Sequence, residues 1–334
     1  MSYNASADPA DERLSNSAAV GYSAHMVRVA LTRDRAEWDR LFASAAFPHL
    51  SQSFAYGEAK RAKGWHVRRA TFSQGGRVVA ICQLLELRIL ELKLLTRVNR
   101  GPLFMDAEPL PGTVAAVYAA IRQHWGQFYR APCLMAPALE GTKANHALLR
   151  GLGFQLRHDH AWISGRIDLS RGEEALWSSM ASSFRNRFRN AEKAGATLRV
   201  ADDAATLEWM IDRHNLNMRD KHFKAVDGKF IRALRDAAPA DVLVFQLVLG
   251  DEPVAGMSVV RFGSRCEYQT GWFGARGREV NAGNFLMWNI IREMKRRGCT
   301  EFDVGGLAPQ TGYSKFKRTM NPAEFRLAGE WMAF

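Results

Sequence analysis

The sequence predicts an α+β fold built in two halves of about 150 residues each, with a cleft between them. Three observations carry this. A strand–turn–strand unit occurs twice, as QGGRVVAICQLLELR at 74–88 and LGDEPVAGMSVVRFG at 249–263. A helix–Gly–strand unit also recurs, as ALLRGLGFQL at 147–156 and MKRRGCTEFDV at 294–304. A chain of 334 residues that is 47% hydrophobic and 24% charged has the length and the apolar content for two cores.

The elements follow in order. Residues 1–24 hold three acids and no apolar core, which reads as a disordered leader and not a secretory signal. A strand is expected at 25–31, then a short amphipathic helix at 34–45 with Trp38, Leu41 and Phe42 on one face. Residues 54–63 have helical spacing, and Lys60, Arg61 and Lys63 suit the negative end of a helix dipole. Gly75-Gly76 separates two β-rich runs, 66–73 and 78–87, as a hairpin turn would. Further strands are expected at 90–97, 101–105 and 133–136, and helices at 109–129 and 145–151.

A strand at 154–156 ends the first half, and one at 163–169 opens the second. One long helix is expected over 173–194, because Leu176, Met180, Phe184 and Phe188 share a face and Gly195 supplies a stop. Its other face carries Arg185, Arg187, Arg189 and Lys193, with Glu192 the one acid between Arg185 and Lys193. That face reads as solvated surface or as a phosphate-binding stripe. Strands follow at 198–201, 242–249, 254–262 and 265–272, and helices at 204–218, 230–237 and 284–297. Loops span 220–228 and 275–283.

Charge and cysteines narrow the function classes. The net charge of +12 and a pI near 9.8 favour an anionic partner: nucleic acid, a nucleotide diphosphate or an anionic lipid surface. Four scattered cysteines with no CxxC spacing argue against zinc and against a disulfide framework, and fit a reducing compartment. The most apolar window, 78–95, carries Glu86, Arg88, Glu91 and Lys93, too many charges for a membrane span. A cytoplasmic location is expected. His158-Asp159-His160 has no third ligand set nearby, so no metal is expected.

The stretch 302–325, FDVGGLAPQTGYSKFKRTMNPAEF, holds the strongest candidate site. A short strand breaks at Gly305-Gly306, where backbone can approach a ligand. A cationic and aromatic run follows: Tyr313, Lys315, Phe316, Lys317 and Arg318. Fixed cations after a glycine break can prepare a site for an anion or a developing oxyanion. The same residues can also form a strand end and a solvated basic loop.

Taken in order, several segments resemble the Fem family of peptidyltransferases (FemA, FemB and FemX). They are Gln52-Ser53, Gly57, Lys60 and Gly64-Trp65; LGF at 152–154; DLS at 168–170 before Leu176-Trp177; and RNRFRNAEKAG at 185–195. GDEPVAG at 250–256, NFLMW at 284–288, FDVGG at 302–306 and GYSKFKRTMNP at 312–322 complete the set. The likeness covers most of 26–334. It implies two tandem acetyltransferase-like (GNAT) domains, each a mixed β-sheet flanked by helices. They would span 25–160, joined by a C-terminal strand at 323–334, and 161–322, which carries the catalytic stretch.

The resemblance implies transfer of an aminoacyl group from aminoacyl-tRNA to the amine of a cell-wall-precursor-like or other small acceptor, with no further cofactor. It places Lys317 as the catalytic cation, with Phe316 beside it as a wall. Lys60 matches a lysine that holds a nucleotide-linked diphosphate, and Arg219 and Lys221 fall near acceptor-binding positions. Tyr313 and Asp303 complete the expected substrate site, Asp303 as a proton relay or a structural group. The stripe Arg185, Arg187, Arg189 and Lys193 becomes the tRNA contact. Two departures stand out: Tyr56 replaces the family's usual Trp, and no long heptad arm is present.

Amide formation from an ester needs charge stabilisation and positioning more than acid–base machinery. Two other readings stay open. An acyl-CoA N-acyltransferase would need an Arg/Gln-x-x-Gly-x-Gly/Ala pyrophosphate loop. Arg278-Glu279-Val280-Asn281-Ala282-Gly283 comes near it, with Asn281 where the first glycine belongs. A non-enzymatic RNA- or nucleotide-binding module suits the charge but leaves Phe316-Lys317 unexplained.

Overall fold

The computed structural model describes residues 27–90, 92–126, 131–159, 162–220, 226–307 and 311–334. The expected leader and the loop residue Lys221 lie outside these residues.

Two mixed sheets form the frame, as the sequence predicts. The first half supplies β1 (Arg28–Thr32), α1 (Arg35–Ser44), α2 (Phe54–Arg61), β2 (His66–Gln74), β3 (Arg77–Ile89), β4 (Leu92–Gly101) and β5 (Leu103–Phe104). It continues with α3 (Pro111–Ile121), β6 (Cys133–Pro137), α4 (Lys143–Gly151) and β7 (Gln155–His158). The second half supplies β8 (Ile163–Asp168), α5 (Glu173–Ser179), α6 (Ser182–Lys193), β9 (Thr197–Ala201), α7 (Ala204–Asp220), α8 (Gly228–Ala237), β10 (Val242–Leu249), β11 (Glu252–Phe262) and β12 (Arg265–Phe273). It ends with α9 (Ala275–Glu279), α10 (Ala282–Arg296), β13 (Glu301–Asp303), α11 (Gly312–Arg318), β14 (Ala323–Arg326) and β15 (Glu330–Ala333).

The duplication is visible in the strand order. One sheet runs β1-β2-β3-β4-β6-β15-β7, with β5 beside β3; the other runs β9-β10-β11-β12-β13-β8-β14. Each has three antiparallel neighbours in series and then one parallel junction, β4 with β6 and β12 with β13. The C-terminal segment serves both sheets. β14 pairs with β8, while β15 inserts between β6 and β7.

Two expectations are corrected. The helix expected over 173–194 is broken: Met180 takes ψ 149 and ends α5, and α6 starts two residues later. Tertiary contacts override the helical spacing here. Met180 is buried, Ala181 N–H donates to Thr319 O (2.9 Å), and Arg185 Nη1 donates to Met180 O (2.6 Å) and Ser178 O (3.0 Å). The loop expected at 275–283 contains the short helix α9.

Three apolar clusters hold the frame. One fills the second half around Phe245, Leu286 and Phe302, and one fills the first around Phe72, Tyr118 and Trp331. The third joins the halves: Trp38, Phe42 and Ile81 of the first pack with Met210, Phe230 and Val260 of the second. A shared apolar core of this kind fixes the two sheets relative to each other, where a polar interface would let them move.

Candidate active site

Helix α11 turns Lys317 of the basic run 313–318 inward, leaving Lys315 exposed and Arg318 paired with Glu324. Thr311 caps the helix, its Oγ1 accepting from Ser314 N–H (3.1 Å). Lys317 is then 2% exposed, and its Nζ donates to Gly306 O (3.1 Å). The rings of Tyr313 and Tyr268 lie 4.4 and 4.9 Å from that Nζ. Burial lowers the Lys317 pKa from 10.5 to about 8, against the opposing charges of Asp303 and Glu267. The residue is therefore a cation near neutral pH and close to losing its proton.

The glycine break makes this arrangement possible. Gly305 has φ +74, and a Cβ there would stand 3.2 Å from Lys317 Nζ and 3.3 Å from Tyr268 O. Asp303 fixes the turn. Its Oδ1 accepts from the Ser164 hydroxyl and from Gly305 N–H (2.8 Å), and its Oδ2 lies 3.8 Å from Arg100 Nη1. Phe316 is partly buried on the neighbouring face, stacked on Phe184 (6.4 Å, 23°) and close to Gly283, whose added Cβ would meet the ring at 3.3 Å. Tyr313, 39% exposed, has its ring 6.3 Å from that of Phe316 and 4.4 Å from Lys317 Nζ.

A cavity of about 550 Å³ opens between the halves, lined among others by Tyr56, Lys60, Arg97, Arg100, Trp162 and Glu267. Ser53 caps α2 and so sets the direction of Lys60 into it. Lys60 Nζ lies over the rings of Tyr56 (5.2 Å) and Phe230 (4.8 Å). Burial lowers its pKa, helped by Lys63 and Arg97. Burial also pushes the Tyr56 phenol up to about 12, so it stays protonated near neutral pH. Gln52 holds the first sheet open at this point. Its Nε2 donates to Asn99 O (2.8 Å) on β4 and Gln83 O (3.2 Å) on β3, and its Oε1 accepts from Gln83 N–H (2.6 Å).

Tyr313, Phe316, Lys317 and Asp303 thus come together at the second half's glycine break, and Lys60 reaches the interdomain cavity. Arg219 lines a separate open groove on α7 with Asp212 and Arg213. Lys221 lies outside the described residues. Within the basic stripe, Arg187, Arg189 and Lys193 are exposed, whereas Arg185 is half-buried and caps the end of α5.

Sequence alone did not single out four residues of this region: His49, Arg100, Glu267 and Tyr268. His49, Glu267 and Asp303 have donor atoms within 4.8 Å of one another, the one such group among the described residues. Arg100 already sets a guanidinium beside it, so the set carries its own cation. The alternation Cys266-Glu267-Tyr268-Gln269-Thr270 was the available signal: polar side chains on one face of a buried strand.

Residues 178–318 match the family model described as acetyltransferase (GNAT) domain. The match takes in α6, the strands β9 to β13 and all of α11. Over the whole chain the fold is that of FemX, with TM-score 0.76, 17% identity, and 91% of this chain and 96% of that one covered. A tandem GNAT protein from the clavulanic acid biosynthesis pathway superposes with TM-score 0.55 at 12% identity, covering 92% of this chain and 98% of that one. L-PGS from Bacillus licheniformis does so with TM-score 0.53 at 13% identity, covering 90% of this chain and 91% of that one. No curated protein sequence matches the chain. The matched segment thus carries Lys317, and the first half supplies much of the lining of the cavity between the halves. No helix among the described residues is long and apolar enough to cross a membrane.

Proposed function

We propose that the protein is an amide-forming transferase that moves an aminoacyl group from aminoacyl-tRNA to the amine of an anionic, nucleotide-linked or cell-wall-precursor-like acceptor. The observation that carries this is the buried Lys317, an ammonium held by Gly306 O against two tyrosine rings, with Lys60 lining the cavity between the halves. A fixed ammonium in a dry site stabilises the oxyanion that forms when an amine attacks an ester. Lys60, with Lys63 and Arg97 near it, supplies the charge for an anionic acceptor. The fold shared with FemX and with L-PGS supports the same reading. Exposed Arg187, Arg189 and Lys193 supply a phosphate-binding stripe for the tRNA. The reaction takes place in the cytoplasm, where charged tRNA is found.

A second reading, transfer from an acyl-CoA, is favoured by one observation. Asn281 adopts φ 60 at the start of α10, with no side-chain cap, and so reproduces the left-handed step that a glycine takes in a pyrophosphate loop. Filter binding separates the two donors. A pool of labelled aminoacyl-tRNAs and a set of labelled acyl-CoAs are each incubated with the purified protein. Retention of a charged tRNA, competed by salt, is expected. Retention of a CoA ester alone would overturn the tRNA reading.

A further inference from the structure

A second chamber, of about 400 Å³, shares His49, Arg100 and Leu327 as lining with the interdomain cavity. That volume is in the range of small-molecule sites. Its walls are largely apolar: Pro102, Leu103 and Phe104, with Val114 on α3, Leu139 after β6 and Phe325 on β14. The backbone of these walls is already paired. Gly101 O accepts from Ala138 N–H (3.3 Å), Phe104 O from Ala46 N–H (3.0 Å) and Leu139 O from Ala328 N–H (2.9 Å). Polar side chains therefore decide what the chamber can recognise. Asp106 and Glu140 are exposed to solvent, whereas Arg100 is buried.

Arg100 and Arg166 supply the chamber's positive charge. Both guanidiniums lie against the Phe325 ring, 5.7 and 4.1 Å from its centroid. Arg100 Nη1 is buried and has no hydrogen-bond partner among the described residues. Its ion-pair partner Asp303 Oδ2 stands 3.8 Å away, too far for a hydrogen bond. Buried polar atoms are almost always paired, so this idle N–H needs a reason. Arg100 also takes φ +48, a left-handed backbone that is unfavourable for an arginine. Residues held in this way gather at ligand clamps.

We propose that this chamber binds a monocarboxylate with an apolar body, its carboxylate on Arg100 and Arg166 and its body against Leu103, Phe104 and Leu139. A carboxylate oxygen on Nη1 would complete the missing bond of Arg100. The charge is matched to one negative group, because each guanidinium is partly committed. Arg100 is shared with Asp303. Arg166 Nε lies 3.5 Å from Glu301 Oε1, and Arg265 Nη1 is closer to the same oxygen at 2.8 Å. A phosphate dianion would exceed the charge that remains. Free arylalkyl or aliphatic acids have this chemistry, and so has the C-terminus of a short apolar peptide. The site does not depend on which donor the transfer reaction uses.

Calorimetry on the full-length protein tests this with phenylbutyrate, its neutral amide, phenylbutyl phosphate and N-acetyl-leucyl-alanine. Phenylbutyrate should bind with a negative heat-capacity change as its ring is buried. The amide should bind about tenfold or more weaker. Arg166→Gln should weaken phenylbutyrate about tenfold and leave the amide unchanged. Arg100→Asn should do the same, with asparagine chosen because it tolerates positive φ. Ala107→Trp, at an exposed lining position, should block acid and amide alike. Tighter binding of N-acetyl-leucyl-alanine than of phenylbutyrate would assign a peptide C-terminus as the source, and the reverse a free acid; either supports the site. Equal affinity for acid and amide, or an acid affinity untouched by both arginine variants, would overturn the proposal. So would tighter binding of the phosphate ester, or no binding of any probe.

Discussion

Lys317→Met should make the protein more stable at neutral pH while abolishing its transfer activity. Near pH 7 the lysine is charged in the fold, although its pKa has dropped from 10.5 to about 8. That gap is worth about 3 kcal/mol of destabilisation, since each pKa unit corresponds to about 1.4 kcal/mol. The sign follows from proton binding. Between pH 8 and 10.5 the unfolded chain holds the lysine proton and the folded chain has lost it, so wild-type stability rises with pH across that window. Below about 8 both states hold the proton and the full penalty applies. A methionine removes the charge, fits the stem between Tyr268 and Tyr313, and leaves Gly306 O without its donor, at a cost of about 1–2 kcal/mol. The net gain is about 1–2 kcal/mol at pH 7, or about 2–4 °C in Tm for a large domain. Thermal unfolding of both proteins at pH 7 and near pH 10 reads this directly. The gap should shrink, and then reverse, as the pH rises. A methionine variant less stable than wild type at pH 7 would show that Lys317 is a well-paired structural cation and not a poised catalytic charge.

Other outcomes follow from the same geometry. Transfer should decline above about pH 8 as Lys317 loses its proton; a rate flat well beyond that point removes its charge from the reaction. Asp303→Asn should lower stability by about 1–3 kcal/mol, seen as a lower urea midpoint, because it weakens the contacts to Ser164, Gly305 and Arg100. Reversing Arg187 and Arg189 should weaken tRNA binding and reduce the salt slope by about 0.7–0.9 per site, with Tm unchanged. Arg185→Glu should behave the other way, lowering Tm through the lost cap on α5. If Arg185 alone alters tRNA binding, the division between capping and contact residues is wrong.

The frame was legible because its signals are local. Gly75-Gly76 reads as a turn whatever surrounds it, and both residues do take positive φ. Val242–Leu249 is buried along its whole length, as an unbroken apolar run suggests. The break at Met180 was hidden because its cause is remote: Thr319 and Arg185 take the backbone groups that a continuous helix would use. Lys317 could be named but its state could not, since sequence shows a cation in a basic run and the fold buries it. Glu267 was missed for a related reason. One acid in a strand reads as a solvent-facing residue, and only the approach of the other half's His49 and Arg100 turns that face into a cavity wall.

The duplicated strands explain where the chemistry sits. β4 and β12 hold the same place in the two sheets, each the last antiparallel strand before the parallel junction. Both face the same cavity: β4 presents Arg97, Asn99 and Arg100, and β12 presents Glu267 and Gln269. One frame used twice has therefore brought cations from β4 and a carboxylate from β12 to the same cavity. The shared core around Phe230 and Trp38 fixes the distance between those strands. Under the proposed function, this polarity orients a substrate that has an anionic group and an amine. The glycine break after β13 then adds the one element with no cationic counterpart after β6, where Pro137 ends the strand and α4 follows. Under the proposed function, the first half holds the anion and the reaction belongs to the second.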